Sequence, residues 1–329
     1  MKELIFEGRP VAALDGETVL EALLRDGIAI AHQCRKGVCL SCAVHSIGRC
    51  PPPMEAQMSL PLAARNQNQA LACQWRIGSD PIEIAGAGTI NRPQSGRIEQ
   101  IELLSPSVAR VLLSVPRSFE AEAGQYVVVR RRDGLERPYS IASLPTQARP
   151  FLELHVRRYD GGLMSPWLCN RETAGKRVDL FGPYGATTYR PDKPEANLLL
   201  IGTGTGLAPL YGILQDALAQ GHQGQIALYH GSRARDGLYL DAELSELATE
   251  SPNFSYTACL SDRENTSTGT AIGRAHEIAF MRHADLKGWR VYLCGLPAMV
   301  ASARRSAFLA GAAFDDIFID PFHPAPATA

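Results

Sequence analysis

The period of the apolar positions changes along the chain. Near the start, Leu4-Ile5-Phe6 is a short apolar stretch, and Thr18 precedes Val19, Leu20, Leu23 and Leu24, the spacing of one helical face. Glu21 stands three residues after Thr18, so a capped helix is predicted from Thr18 to Asp26. Ile82-Glu83-Ile84 reads as the last strand of this segment. The stretch from Ala85-Gly86-Ala87-Gly88 to Gln94-Ser95-Gly96 is small, polar and broken by Pro93, the composition of a linker. Short alternating segments follow, such as Ala109 to Val115, Gln125 to Val129 and Phe151 to Val156, and predict an antiparallel barrel. From about Glu195 the pattern shifts to continuous apolar runs, Leu198 to Ile201, Ile226 to Tyr229 and Val291 to Leu293, separated by helical stretches. These read as the buried strands of a parallel sheet. The expected domains are 1–88, 95–193 and 194–329.

Length and composition narrow this picture. At 329 residues the chain exceeds one ordinary domain, and 45% apolar with 20% charged residues is the balance of a soluble globular protein. A formal net charge of -1 argues against nucleic acid or an anionic membrane surface as partner. No apolar run approaches a membrane span, and Met1-Lys2-Glu3-Leu4-Ile5-Phe6-Glu7 carries charge where a signal peptide would be apolar. Eight cysteines are too few for a disulfide scaffold in a chain this long. A cytoplasmic monomer is expected, with a loose Pro/Ala tail after Phe322.

The cysteines carry the strongest chemical signal. Cys34-x4-Cys39-x2-Cys42, followed by a distant Cys73, supplies three thiolates from one loop and a fourth from elsewhere, as a plant-type 2Fe-2S cluster requires. Zinc sites usually pair two Cys-x-x-Cys knuckles, or one knuckle with a His pair, and only one knuckle is present. His32 beside the loop would suit a Rieske centre only with paired Cys-x-His motifs, which are missing. Cys50, Cys169 and Cys259 fit no ligand pattern and read as core or loop residues. Cys34-Arg35-x-Gly37-x-Cys39 resembles the cluster loop of plant-type ferredoxins, which implies a β-grasp fold for the first domain. Leu40 departs from the small residue usual there and leaves the ligands intact.

Two further groups of motifs resemble the ferredoxin-NADP reductase family. Arg137-Pro138-Tyr139-Ser140 matches its Arg-x-Tyr-Ser element, in which a cation meets the flavin diphosphate, an aromatic ring faces the isoalloxazine and a hydroxyl lies near N5. Gly161-Gly162-Leu163-Met164-Ser165 resembles the second phosphate element, and His155-Val156-Arg157 the strand lining the adenosine side. Gly202-Thr203-Gly204-Thr205-Gly206-Leu207-Ala208-Pro209 follows an apolar run and opens a helix, the setting in which amides face a dinucleotide diphosphate. No Lys-Ser or Lys-Thr follows, so it is not a P-loop. Cys294-Gly295-Leu296-Pro297-Ala298-Met299 matches the element that sets a thiol beside the nicotinamide, and Phe322 resembles the aromatic residue that covers the flavin. The implied catalytic residues are Ser140, Cys294 and Phe322. A Rossmann-like α/β nicotinamide domain is implied for the third segment.

The order of modules, ferredoxin first, flavin barrel second, nicotinamide domain third, resembles the reductase components of bacterial aromatic-ring dioxygenases. The resemblance implies NADH, FAD and a 2Fe-2S cluster in series, with a ferredoxin or a terminal oxygenase as protein acceptor. The phthalate type places its ferredoxin module last and uses FMN, so this order favours FAD. Reductases of deoxysugar biosynthesis share the order and feed a pyridoxamine-dependent dehydratase, which is the alternative. After Tyr229 the chain reads His230-Gly231-Ser232-Arg233, with no carboxylate placed for ribose hydroxyls. Ser232, Arg233 and Arg235 could meet a 2'-phosphate, so NADPH use beside NADH is expected. Arg35, Lys36 and Arg49, with no acid between His32 and Pro53, predict a basic docking face around the cluster.

Overall fold

The computed structural model describes residues 2–28, 30, 32, 35, 37, 41–47, 60, 68–78, 80–86, 93–146, 150–262 and 269–322. The chain divides into two compact units, Met1–Pro93 with Phe181–Ala186, and Gln94–Leu180 with Thr187–Ala329.

In the first unit, β1 (Lys2–Phe6), β2 (Arg9–Ala13), β3 (Ala43–Ser46), β4 (Gln69–Leu71) and β5 (Ile82–Gly86) form one sheet in the order β2-β1-β5-β3-β4. The central pair, β1 and β5, is parallel. Helix α1 (Val19–Arg25) buries Val19, Leu20, Ala22 and Leu23 in a core shared with Leu4, Val11, Val44, Leu71 and Ile84, a β-grasp of sheet and helix. Its start is the capping box expected from sequence. Thr18 Oγ1 accepts from the Glu21 amide at 3.2 Å while the Glu21 carboxylate accepts from the Thr18 amide at 2.9 Å. Such a cap contributes about 1 kcal/mol. The predicted linker is shorter than its composition suggested. Ala85 and Gly86 extend β5 and pair with His45 and Val44, and Gln94 to Gly96 already belong to the next strand.

The second unit begins with a closed barrel of β6 (Gln94–Ser105), β7 (Val108–Ser114), β8 (Tyr126–Arg130), β9 (Glu136–Ser143), β10 (Leu152–Arg157) and β11 (Arg177–Tyr184), in the order β10-β7-β6-β11-β8-β9. Ile98, Val111, Leu113, Val127, Val129, Ile141, Leu152 and Leu154 belong to its core, joined by Met164 and by Leu168 of the short helix α2 (Ser165–Leu168).

The chain then builds a parallel sheet from β12 (Leu198–Thr203), β13 (Ile226–Ser232), β14 (Phe254–Leu260), β15 (Ala271–Ile272), β16 (Arg290–Gly295) and β17 (Ile317–Pro321), ordered β15-β14-β13-β12-β16-β17. Helices α3 (Leu207–Ala219), α4 (Asp241–Glu250), α5 (Ala275–Arg282) and α6 (Pro297–Leu309) make the crossovers. Strand order reverses at β12, which lies between β13 and β16, so the crevice for a ligand opens at the carboxyl ends of β12 and β16. β13 runs past Tyr229 to Ser232, and β17 was not foreseen from the sequence. Helix α3 also packs on β9. A Cβ on Gly212 would stand 2.9 Å from the Ala142 carbonyl oxygen and 3.2 Å from that of Ile141, so glycine permits this approach of helix to barrel. No described helix is long and apolar enough to cross a membrane.

Candidate functional site

Two of the four predicted cluster ligands, Cys34 and Cys39, lie outside the described residues, as do Lys36, Leu40 and Arg49. The other two are brought together by the β3–β4 ladder. Ala43 pairs with Leu71, and the Ala72 amide donates to the Cys42 carbonyl at 2.9 Å, which places Cys73 in the short 3-10 turn beside Cys42. Both cysteines are buried, and neither is in a disulfide. Arg35 and Gly37 take left-handed backbone, with φ of 51° and 74°, so the loop turns sharply there. Gln74 Nε2 bridges the Arg35 carbonyl at 3.0 Å and Cys73 Sγ at 3.4 Å, tying the loop to the distant cysteine. A thiol pair 31 positions apart beside a tightly turned loop suits a cluster held by distant segments. His32 is engaged at both ring nitrogens. Its Nδ1 lies 2.9 Å from the Ile30 carbonyl, which can only accept, so Nδ1–H donates and Nε2 accepts from Arg35 at 3.3 Å. A depression of about 420 Å³ beside Cys73 is lined by Arg35, Arg76, Gln74 and the start of α1.

On β9, Arg137 and Tyr139 are two apart and leave the strand on one face. The Arg137 guanidinium donates to the neighbouring Glu136 carbonyl at 2.7 Å, and no carboxylate among the described residues pairs with it. A cation kept clear of protein acids suits an anionic diphosphate. Burial pushes the Tyr139 hydroxyl up, so it stays protonated and the ring neutral. Ser165 Oγ accepts from the Tyr159 amide at 3.1 Å, and a Cβ on Gly162 would stand 3.0 Å from that same Oγ, so the Gly162-to-Ser165 turn is closed tightly around glycine. Leu163 is exposed, whereas Val156 and Met164 spend their side chains on the barrel core, which leaves their backbone for a ligand. Arg157 stacks over Tyr159 and places Nη1 3.5 Å from where a Cβ on Gly204 would stand. Its charge therefore lies beside the glycine turn as well as the barrel.

At the crevice, Gly204, Thr205 and Gly206 form one 3-10 turn that leads into α3. Gly206 packs on β16 so closely that a Cβ would overlap the Cys294 carbonyl, and Gly295, at φ 118°, packs in the same way on Thr203. Thr203 Oγ1 accepts from the Leu296 amide at 3.0 Å, closing the turn against the other strand end. The Cys294 thiol is fully buried and held well above the usual thiol range, first by burial and then by Asp320. It is therefore a neutral, water-excluding wall. Met299 is buried in the core beneath the sheet. Ser232 Oγ turns back to the Ala234 carbonyl at 2.7 Å, and Arg233 is exposed.

The three predicted catalytic residues converge through a residue that sequence reasoning gave no role, Asp320. It stands opposite Cys294 in the β16–β17 register, and Ser140 Oγ donates to its carboxylate at 3.4 Å. The Phe322 amide donates to the Gly295 carbonyl at 2.7 Å, fixing that residue at the mouth. The signal for Asp320 was its place two residues before Phe322. A second group had no sequence signal. Buried Glu153 accepts from Arg110 Nε at 2.8 Å and from His155 Nε2 at 2.8 Å, and His155 Nδ1 lies 3.1 Å from the Tyr239 hydroxyl. Burial pushes the Glu153 carboxyl up, but the bond from His155 and the charge of Arg110 outweigh it and leave it below the usual range. Burial holds His155 down despite that carboxylate. A neutral ring then donates from Nε2 to Glu153 and accepts from Tyr239 at Nδ1.

Three family models match in order. These are the 2Fe-2S iron-sulfur cluster binding domain over 6–78, the oxidoreductase FAD-binding domain over 95–189 and the oxidoreductase NAD-binding domain over 200–305. The chain is 35% identical to the reductase subunit of an aromatic O-demethylase from Amycolatopsis sp., with 89% of this chain and 90% of that one covered. It is 30% identical to the ferredoxin–NAD(P)(+) reductase component of the naphthalene 1,2-dioxygenase system of Pseudomonas putida, covering 94% of each. Among solved structures, an Amycolatopsis cytochrome P450 reductase superposes with TM-score 0.70 at 31% identity over 98% of this chain and 99% of that one. The ferredoxin reductase in carbazole 1,9a-dioxygenase, at 23% identity, 98% coverage of each chain and TM-score 0.67, shares the fold. With its cluster, flavin and nicotinamide modules in this order, the chain belongs to the family of NAD(P)H-dependent flavin iron–sulfur reductase components of bacterial oxygenase systems.

Proposed function

We propose that this reductase draws its electrons from NADH in preference to NADPH and delivers them singly to a protein acceptor, a ferredoxin or the terminal component of an oxygenase system. The meeting of Ser140, Asp320 and Cys294 where the flavin strand faces the nicotinamide crevice supports the nicotinamide-to-flavin part of this reading. When bound, FAD takes both electrons of the nicotinamide hydride and releases them singly, and the 2Fe-2S cluster carries each one outward.

The residues of the chain hold and orient. Arg137, Tyr139, Ser140, the His155-to-Arg157 strand and the Gly162-to-Ser165 turn would hold FAD. Gly204, Thr205, Gly206, Ser232, Arg233, Cys294, Gly295 and Met299 would hold the nicotinamide nucleotide, and Cys34, Cys39, Cys42 and Cys73 the cluster. Ser140 keeps its proton directed at Asp320 Oδ2, the neutral Cys294 thiol excludes water, and Phe322 stands beside Gly295 at the crevice mouth. The modules span 1–88, 95–193 and 194–329, and the protein acts as a cytoplasmic monomer. The naphthalene 1,2-dioxygenase relative named above belongs to an oxygenase system, which favours that acceptor class over the dehydratase of a deoxysugar pathway. Flavin and metal analysis of the purified protein tests the reading. FAD with iron and labile sulfide is expected, and FMN or zinc in their place would contradict it.

A further inference from the structure

His230 lies fully buried in β13, with Nε2 3.0 Å from the Gly204 carbonyl oxygen. A carbonyl can only accept, so Nε2 carries the proton and Nδ1 keeps its lone pair, which finds no partner among the described residues. Burial holds this imidazole down to about 4, so it stays neutral at working pH. The Gly204 carbonyl also accepts the Leu207 amide, and two bonds therefore fix its direction. Because the peptide is planar and trans, fixing the Gly204 carbonyl fixes the Thr205 N–H in the opposite direction, away from β13. The ring of His230 is held in turn by Tyr239, edge-on at 5.4 Å and 84°. Tyr239 donates its hydroxyl to His155, which adjoins the Val156-Arg157 strand and bonds Glu153.

We propose that His230 is a positioning residue for the nicotinamide nucleotide, holding the Gly204 carbonyl so that the Thr205 amide faces the diphosphate, while Tyr239 and His155 key that turn to the flavin strand. The inference rests on the reading that the glycine turn cradles the dinucleotide. An orphaned Nδ1 in a ring whose other nitrogen serves a single turn carbonyl is hard to account for by core packing, because an apolar side chain would fill the space without leaving a polar atom unpaired.

Holoenzyme carrying His230→Phe, His230→Gln or Tyr239→Phe tests this, with NADH oxidation by ferricyanide and titration with NAD+ followed in the flavin absorbance. Losing one hydrogen bond to a buried carbonyl should raise KM for NADH and Kd for NAD+ about tenfold in His230→Phe. Saturated turnover and FAD content should stay at the wild-type level. His230→Gln, whose amide nitrogen can reach the same carbonyl, should recover most of the affinity, and Tyr239→Phe should raise KM by about threefold. Wild-type KM in His230→Phe, a fall in saturated turnover as large as the rise in KM, or a glutamine variant as impaired as phenylalanine would overturn the proposal. If His230→Phe yields no holoenzyme, Tyr239→Phe decides alone, and an unchanged KM there overturns it. Failure of the wild type itself to show saturable NADH oxidation would remove the underlying reading of the turn instead.

Discussion

Replacing Gly206 by alanine isolates the contact that shapes the nucleotide crevice. Its φ of -60° and ψ of -13° are open to any residue, so the cost is steric and not conformational. The added Cβ would stand 2.6 Å from the Cys294 carbonyl carbon and 2.8 Å from the Gly295 Cα, with the carbonyl oxygen closer still. All three atoms are backbone, in a strand paired on both sides, and cannot swing away. Overpacking of this kind costs about 1–3 kcal/mol. Restricting the unfolded chain returns about 0.4–1 kcal/mol. A net loss of about 1–2 kcal/mol lowers the unfolding midpoint of a unit this size by about 2–8 °C. Relief must come by parting the carboxyl ends of β12 and β16, so KM for NADH should rise more than stability falls. Thermal unfolding of the holoenzyme and ferricyanide-coupled NADH oxidation read the two effects. Gly221→Ala is the control, since its φ of 73° strains alanine while nothing lies within 4 Å of its Cβ, and it should lower stability without touching KM. Wild-type KM in Gly206→Ala, or equal effects in the two variants, would refute the crevice as the nucleotide site.

Acid should weaken the fold through buried groups held below their ordinary range, His155 among them. His230, held at about 4 against an ordinary 6.5, contributes stability that is complete above pH 6.5 and is lost as the unfolded chain takes up a proton toward pH 4. Glu153, held below its ordinary range, adds a further loss as pH falls through its lowered value. Urea midpoints between pH 7 and 5 should therefore fall, with a slope smaller in His230→Gln by up to about 1.4 kcal/mol per pH unit, and an unchanged slope would exclude His230 as the buried neutral base. NADH should be used better than NADPH, and an NADPH preference of tenfold or more, about 1.4 kcal/mol, would contradict that ordering. Transfer to the acceptor should slow with rising ionic strength and in Arg35→Glu, because exposed charges near the cluster are screened. Flat rates across the salt series would remove basic steering.

Local signals survived folding best. The capping box of Thr18 and Glu21 spans four residues, and the structure reproduces it bond for bond. The strands of barrel and sheet were legible because their apolar periods differ, two in one and continuous in the other. The linker was over-read at Ala85-Gly86 and Gln94-to-Gly96, because small residues look like a break in sequence while their ladder partners, His45 and Val44 for the first and Val178 to Leu180 for the second, lie far away. Asp320 was visible only as part of a tail, since its place opposite Cys294 depends on the register of β17. The Arg110–Glu153–His155–Tyr239 group could not be read at all. Its members are spread over two strands and a loop, and a charged residue in a barrel strand ordinarily faces water.

The series arrangement of nicotinamide, flavin and cluster is tested most directly by Cys42→Ser, assayed with two acceptors in the same preparation. Ferricyanide can be reduced from the flavin, whereas cytochrome c needs the cluster. Loss of cytochrome c reduction with wild-type ferricyanide reduction and full FAD content is the predicted result. Equal loss of both activities in a variant that retains its FAD would contradict it.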